Sequence, residues 1–118
     1  MGIISDLEFA DKFCDLVRDQ AEWSQKTFGG DFVRGPLGAL RHLELEAREA
    51  QDAAVNGGLT EELADCFLLV LDAARRHGLK PMQLVEAAVK KMEVNKSREW
   101  PKPTDINTPV MHIKRGEA

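Results

Sequence analysis

The sequence predicts an all-α protein of four helices with essentially no sheet. Tyrosine is absent from its 118 residues, β-branched residues are few, and alanine, leucine, glutamate and lysine dominate the middle of the chain, which favours helix over strand. Apolar residues recur at helical spacing in four segments. The length suits one domain with a single core. We place this domain at residues 1–103 and an irregular C-terminal arm at residues 104–118.

The first predicted helix has a recognisable start. Ser5 and Glu8 have the spacing of a capping box, in which each side chain caps a free backbone N–H group of the first turn. Apolar residues then follow at helical spacing from Phe9. The pattern fades near Gln25, so we expect a loop from there through Pro36.

The second and third predicted helices are separated by a short glycine turn. The second covers residues 37–55, and Gly57-Gly58 provides its stop. Thr60 is suited to cap the third helix, and His77-Gly78 marks its end. Because so short a turn reverses the chain, we expect these two helices to form an antiparallel hairpin.

The fourth predicted helix opens at Pro81, since proline is favoured in a first helical turn. Prolines at 101 and 103 end its pattern. One side of this helix carries an apolar stripe at Met82, Val85, Val89 and Met92.

Charge and composition exclude several functions. A net charge of −4 argues against broad binding to nucleic acid, which requires a basic face. No apolar run approaches the roughly 20 residues that span a bilayer, and the N-terminus lacks the pattern of a signal peptide. We therefore expect a cytoplasmic protein without membrane contact. Cys14 and Cys66 lack zinc-ligand spacing and are predicted to be reduced core thiols.

Two pairs of acidic residues form the most informative pattern. Glu46 and Glu49 lie in the second helix, and Glu62 and Asp65 lie in the third, with twelve residues between the pairs. The i, i+3 spacing places both carboxylates of a pair on one helical face. The hairpin therefore predicts that all four converge, and Asp72 returns to nearly the same face as a possible fifth member.

Converging carboxylates repel one another and favour a bound cation. At about 4 Å and an effective dielectric near 20, each pair of charges costs about 4 kcal/mol. Ligands with oxygen only suit hard ions, so Mg²⁺, with Mn²⁺ as a substitute, is the expected metal. Such ions bridge triphosphate oxygens and lower the pKa of an attacking water. The alternative is that these acids decorate solvated helix faces, as most glutamates do.

Three polar residues near the end of the fourth helix suggest a second binding element. Lys91, Asn95 and Arg98 fall within about 60° of one another on a wheel of 3.6 residues per turn. Their N–H donors suit phosphate oxygens. The alternative is an exposed basic helix end that complements the helix dipole.

These motifs resemble a known family. The E-x-x-E, twelve-residue gap and E-x-x-D pattern is similar to the metal signature of the MazG-like all-α nucleotide pyrophosphohydrolases. Three segments resemble its phage-type dATP/dGTP diphosphohydrolase branch: W-S-Q-K-T-F-G at residues 23–29, G-P-L-G-A-L-R-H-L-E-L-E at 35–46 and K-M-E-V-N-K-S-R-E-W-P at 91–101. The resemblance extends from Phe13 to about Pro103.

The resemblance implies a four-helix MazG-like bundle that is oligomeric, a homodimer or homotetramer with active sites near subunit interfaces. It implies hydrolysis of dGTP and dATP to the monophosphate and pyrophosphate, with a multi-metal carboxylate site. The implied metal ligands are Glu46, Glu49, Glu62 and Asp65. The implied phosphate contacts are Lys91 and Asn95.

Other residues leave two interpretations open. His42 precedes Glu46 by one turn and is either a structural histidine or a group that orients a ligand or touches phosphate. Trp23 and Phe28 are candidates to stack on a purine, and equally for the core or an interface. Arg75 and Arg76 are interpreted as a solvated helix end, with substrate steering as the alternative.

Alternative functions use the same fold differently. A deoxyuridine triphosphatase or general housecleaning triphosphatase would hold another base beside the same metals. A di-iron carboxylate bundle is disfavoured because its Glu-x-x-His pairs are absent. A non-catalytic helical interaction module would keep the fold without chemistry.

Overall fold

The computed structural model describes residues 3–103 and 105–114, and it describes side chains from Ser5 onward. These residues contain no strand, which confirms the predicted all-α class. The chain divides into two compact units, Met1–Pro81 and Met82–Ala118. The helices are α1 (Ile3–Phe28), α2 (Leu37–Asn56), α3 (Leu59–Arg76) and α4 (Pro81–Ser97).

Helix α1 is longer at both ends than the sequence predicted. It begins at Ile3, so Ser5 lies inside the first turn and the predicted cap at Ser5 is wrong. Serine is only mildly unfavourable within a helix, so the capping pattern does not force a start there. The helix continues past Gln25 and stops before Gly29, whose φ of 110° is accessible mainly to glycine.

A two-glycine turn joins α2 to α3 and reverses the chain. Gly57 has φ 103° and ψ 158°, and Gly58 has φ 90° and ψ 16°, conformations that side chains with a Cβ atom disfavour. The Gly57 N–H donates to the Ala53 carbonyl at 2.7 Å. Because Gly58 occupies the capping position, α3 begins at Leu59 and makes no side-chain cap. The predicted cap at Thr60 is therefore wrong, whereas the predicted turn is confirmed.

Helix α3 is the element that the other two helices of the first unit share, because it packs against both α1 and α2. It ends in a Schellman motif. The Leu79 N–H donates to the Ala74 carbonyl and the Gly78 N–H to the Arg75 carbonyl, both at 2.9 Å, while Gly78 has φ 95°. These bonds satisfy carbonyls that the helix end leaves free. The predicted stop at His77-Gly78 is confirmed.

The buried residues of the first unit are small or polar. The apolar ones are Ala39, Ala50, Leu71 and Ala73, and the polar ones are Ser24, Asp72 and Arg76. Many large apolar side chains lie at the surface of the single chain instead, such as Phe9 on α1. Both cysteines are free, but Cys14 is exposed, so its predicted core position is wrong. None of the described helices combines the length and the apolar character that a membrane crossing requires.

The second unit consists of α4 and the segment that follows it, which folds back toward the C-terminal end of α4. The Trp100 indole N–H donates to the Asn95 carbonyl at 2.7 Å, and its ring meets His112 edge-on at 5.8 Å between centroids. The Ile113 N–H donates to the Glu99 carbonyl at 2.7 Å. Thr104 and residues 115–118 of the predicted arm lie outside the described residues. The predicted boundary at residue 103 stays a prediction.

Candidate metal centre and adjoining cavity

The helical hairpin brings the predicted carboxylates of α2 and α3 together. Glu46, Glu49 and Glu62 each offer one oxygen, and these atoms all lie within 4.8 Å of one another. The i, i+3 spacing puts Glu46 and Glu49 on one face of α2, and the glycine turn sets α3 against that face. The sequence pattern and the turn together therefore produce a three-carboxylate site.

Asp65 adjoins this site without being part of its innermost group. It lies one turn after Glu62 on α3 and is exposed. Its negative charge raises the pKa of both Glu49 and Glu62. Asp65 therefore lies close enough to interact electrostatically with both carboxyls. We call Glu46, Glu49, Glu62 and Asp65 the acid cluster.

The acid cluster is electrostatically unfavourable as it stands. The charge of Glu46 is the main cause that raises the pKa of Glu49, and a hydrogen bond with the Glu46 carboxyl, desolvation and Asp65 add to it. Desolvation is the main cause for Glu62, followed by the Glu46 and Glu49 carboxyls. Raised pKa values mean that the folded protein disfavours the ionised form of these groups. A cation in their midst would reverse this effect.

Two carboxylate oxygens of the acid cluster indicate where such a cation would bind. Glu46 Oε2 and Glu62 Oε2 are buried and have no hydrogen-bond partner, although buried polar atoms are nearly always satisfied. The other oxygen of Glu46 lies 3.1 Å from His42 Nε2. His42 therefore orients the Glu46 carboxylate, which is one of the two roles that the sequence left open for this histidine. Oxygen donors of this kind suit Mg²⁺ or Mn²⁺.

A cavity of about 330 Å³ adjoins the acid cluster, at the lower end of the volumes of small-molecule sites. Its acidic side is formed by His42, Glu46 and Asp65. Helix α1 supplies the opposite wall with residues spaced three or four apart, which share one helical face. The residues of α1 that line the cavity are Leu16, Asp19, Gln20, Trp23, Ser24 and Phe28, and those of α3 besides Asp65 are Leu68, Leu69 and Asp72.

Two aromatic rings form part of the α1 wall. Trp23 and Phe28 meet edge to face with centroids 5.4 Å apart, and the Arg34 guanidinium lies 5.8 Å from the centre of the Phe28 ring. The two aromatic residues are 58% and 48% exposed. In the single chain they are therefore not core residues, and they offer flat apolar surface to a ligand in the cavity.

Beside this wall lies a group of hydrogen-bonded charges that the sequence interpretation missed. Asp72 accepts hydrogen bonds from the Arg75 guanidinium at 2.7 Å and from Arg76 Nε at 2.9 Å. It also accepts from Gln20 at 2.9 Å and from the Ser24 hydroxyl at 2.6 Å. We call these five residues the arginine network. Burial by itself raises the pKa of Asp72, but the hydrogen bonds from Gln20, Ser24 and the two arginines hold it well below its usual range.

Arg76 connects the arginine network to the loop between α1 and α2. Its guanidinium donates to the Gly29 carbonyl at 3.1 Å and to the Arg34 carbonyl at 3.0 Å. The side chain is 1% exposed. Asp31 of the same loop pairs with Arg75 at 3.2 Å. The arginine network therefore ties α1, the loop and α3 together.

Three sequence interpretations change as a result. Arg76 is buried and Arg75 is half-buried, so the prediction of a solvated helix end is wrong for both. Asp72 is engaged by the two arginines, which removes the basis for its place as a fifth member of the acid cluster. The i, i+4 spacing of Asp72 and Arg76 was the available signal, because it favours a pair on one helical face.

The predicted donor residues of α4 belong to the second unit. Arg98 follows the last residue of the helix and donates to the Asn95 side-chain oxygen at 3.4 Å. Asn95 is half-buried and Lys91 is exposed. Their contact with phosphate stays a prediction.

One comparison with known proteins identifies a family. A family model described as dATP/dGTP pyrophosphohydrolase matches residues 16–118. The Eaa protein of Salmonella phage P22 is 43% identical over 97 residues, which make up 82% of this chain and 28% of that protein. The chain thus spans less than a third of the length of this curated relative. No solved structure matches the chain.

Proposed function

The chain belongs to the dATP/dGTP pyrophosphohydrolase family, and we propose that it hydrolyses purine deoxynucleoside triphosphates to the monophosphate and pyrophosphate. The observation that carries this proposal is the position of the acid cluster beside an aromatic cavity. The acid cluster suits the polyphosphate through metal ions, and the aromatic wall suits the base. The match to this family supports the resemblance of the sequence motifs to the MazG-like superfamily.

The four acids are the proposed metal ligands, with Mg²⁺ as the physiological ion and Mn²⁺ as a substitute. When bound, the metal supplies an activated water and stabilises the charge of the pentavalent transition state and of pyrophosphate. Glu46, Glu49 and Glu62 would hold it, with Asp65 beside them. The two unsatisfied buried oxygens support this assignment, because a cation would give each of them a partner.

The remaining residues of the site orient these groups. His42 holds one oxygen of Glu46 and thereby leaves the other directed into the acid cluster. Trp23 and Phe28 offer the base a stacking surface, and stacking is worth about 1–3 kcal/mol per base. Lys91, Asn95 and Arg98 are proposed to bind phosphate oxygens through their N–H groups.

A homo-oligomer is part of the proposal. In the single chain the described residues bury few large apolar side chains, whereas α1 and α3 expose several, including Phe9, Leu16, Phe67 and Val70. Exposed apolar surface of this kind is typical of interfaces, and a symmetric dimer is the commonest way to bury it. Light scattering coupled to size exclusion tests this part, and a monomer at micromolar concentration would contradict it. The phage relative supports a place of action in the cytoplasm of an infected cell.

Product analysis tests the activity. The protein is incubated with the eight common ribo- and deoxynucleoside triphosphates and Mg²⁺, and products are separated by anion-exchange chromatography. We expect dGMP or dAMP with pyrophosphate, and little turnover of pyrimidines. A nucleoside diphosphate product would contradict the reaction, and equal turnover of dCTP or dTTP would contradict the purine preference and favour a general housecleaning enzyme.

A metal titration tests the site separately. Calorimetry with Mn²⁺ should detect binding to the wild-type protein and much weaker binding to Glu49→Gln. Glu44→Gln is the matched control, because Glu44 lies on the same helix, is exposed and forms a surface ion pair with Arg48 at 3.7 Å. Equal Mn²⁺ affinity in all three proteins would mean that these acids only form a solvated helix face.

A further inference from the structure

The polar groups that line the cavity differ in whether they are free to bind a ligand. The Gln20 amide donates to Asp72 at 2.9 Å and accepts from Arg75 at 2.5 Å. The Ser24 hydroxyl donates to Asp72 at 2.6 Å and accepts from Arg76 at 2.9 Å. Gln20, Ser24 and Asp72 are therefore committed to the arginine network. A ligand would have to break these bonds to use them.

Asp19 is the exception on this wall. It lines the cavity one helical turn before Trp23, so the two side chains share a face of α1. It is exposed, and no described residue forms a hydrogen bond or an ion pair with it in the structure. On the acidic side, His42 and one oxygen of Glu46 bind each other at 3.1 Å, and Asp65 belongs to the acid cluster. Asp19 is thus the free carboxylate next to the aromatic surface.

The direction of the bound nucleotide follows from this division, on the premise of the function proposed above. The triphosphate lies at the acid cluster, because metal ions bound there would attract the phosphate oxygens that the carboxylates alone repel. The base then lies toward Trp23 and Phe28 on the opposite wall. Its hydrogen-bonding edge then meets the one free carboxylate that lines this wall, Asp19.

A carboxylate distinguishes the two purines. It offers two acceptors and no donor at neutral pH. Guanine presents two adjacent donors on its Watson–Crick edge, N1–H and the N2 amino group, which a carboxylate accepts together. Adenine presents one donor, the N6 amino group, beside the N1 lone pair, which a carboxylate repels. We propose that Asp19 selects guanine over adenine, so that dGTP is the preferred substrate.

The expected size of the effect follows from bidentate base contacts elsewhere, which discriminate by about 1–3 kcal/mol, or roughly 5- to 150-fold. Because Asp19 is exposed, we expect about a 10-fold preference for dGTP over dATP in kcat/KM. A buried group would discriminate more strongly.

Two substitutions make the proposal specific. Asp19→Ala removes the acceptors and should bring the dGTP to dATP ratio near one. Asp19→Asn presents one acceptor and one donor, which fit N6–H and N1 of adenine and equally N1–H and O6 of guanine, and should also bring the ratio near one. Asp15→Asn is the matched control on the same helix, since Asp15 is exposed, does not line the cavity and forms a surface ion pair with Arg18. The control should keep the wild-type ratio.

Binding measured without catalysis separates this proposal from the function on which it rests. The indole N–H signal of Trp23 is followed by NMR while 2′-deoxyguanosine or 2′-deoxyadenosine is added in EDTA. Tighter binding of 2′-deoxyguanosine than of 2′-deoxyadenosine to the wild type, and loss of this difference in Asp19→Asn, supports the proposal, even if no triphosphate is hydrolysed. Hydrolysis of both purines with a ratio that Asp19→Asn leaves unchanged overturns it while the proposed function stands. Absence of nucleoside binding near Trp23 also overturns it.

Discussion

The two halves of α3 carry carboxylates in opposite electrostatic surroundings. In the first half, Glu62 and Asp65 face the carboxylates of α2, and the pKa of Glu62 is raised. In the second half, Asp72 faces Arg75 and Arg76, and its pKa is lowered. Both halves present acids on one side of the same helix.

The difference distinguishes carboxylates that are suited to bind a cation from a carboxylate that stabilises the fold. A carboxylate paired with arginines is satisfied by the protein itself, and losing its partner leaves a buried charge. A carboxylate that faces other carboxylates is satisfied only when a cation arrives. Charge balance therefore distinguishes function from structure on a helix where the acidic residues look alike.

The largest expected effect is on turnover by the acid cluster. Glu49→Gln should lower kcat for dGTP by about 1,000-fold, the upper range for losing one preorganised electrostatic contact. The unfolding free energy without metal should stay the same or rise, because one repelling charge is gone. Steady-state assays and urea denaturation measure the two quantities. Near-normal turnover would remove the acid cluster from the chemistry.

The next effect is on stability and concerns the arginine network. Arg76→Met should lower the unfolding free energy by about 3–5 kcal/mol, since it removes a buried guanidinium that binds one oxygen of Asp72 and two loop carbonyls. Urea denaturation measures the change. Arg18→Met, which removes an exposed pair at 3.4 Å, should cost no more than about 1 kcal/mol. Equal costs for the two variants would contradict the distinction between network and surface pair.

A smaller effect is expected at the turn that positions the acid cluster. Gly57→Ala should cost about 1–3 kcal/mol, because φ 103° with ψ 158° is open almost only to glycine. It should also weaken Mn²⁺ binding, since the turn sets Glu49 against Glu62. Denaturation and calorimetry measure both. Gly30→Ala, in open space and without a positive φ, should change stability by less than about 0.5 kcal/mol.

The smallest effect is a difference in pH dependence without metal. Raised pKa values of Glu49 and Glu62 mean that the folded protein binds more protons, so their contribution to stability is full below about pH 4.3 and is lost as pH rises. The lowered pKa of Asp72 gives the reverse, stability that is present above about pH 3.9 and lost as pH falls.

Denaturation of the variants in EDTA from pH 3 to pH 7 separates these contributions. Relative to wild type, Glu49→Gln should become more stable as pH rises. Asp72→Asn should be less stable at pH 7 and approach wild type at low pH. Parallel curves for both variants would mean that the two halves of α3 do not differ in charge balance.

The four helices and the spacing of the acid pairs could be predicted from the sequence alone. Helical periodicity, Pro81 and the glycines at 57–58 and 78 are local features, and local features fix where a helix begins, turns and ends. The i, i+3 spacing likewise fixes which acids share a face. The prediction failed at caps such as Thr60, where a neighbouring glycine conformation competes with a side-chain cap.

Which charges are compensated depends on contacts between helices. The spacing of Arg75 and Arg76 after Asp72 is a local signal, but the other two donors to Asp72, Ser24 and Gln20, come from α1, 48 and 52 residues away. The cavity and the free carboxylate of Asp19 beside Trp23 arise in the same way. Such contacts depend on distances between helices, which periodicity along one helix does not encode. The physical reason is that a charge is stabilised by what surrounds it in space, not by its neighbours in the chain.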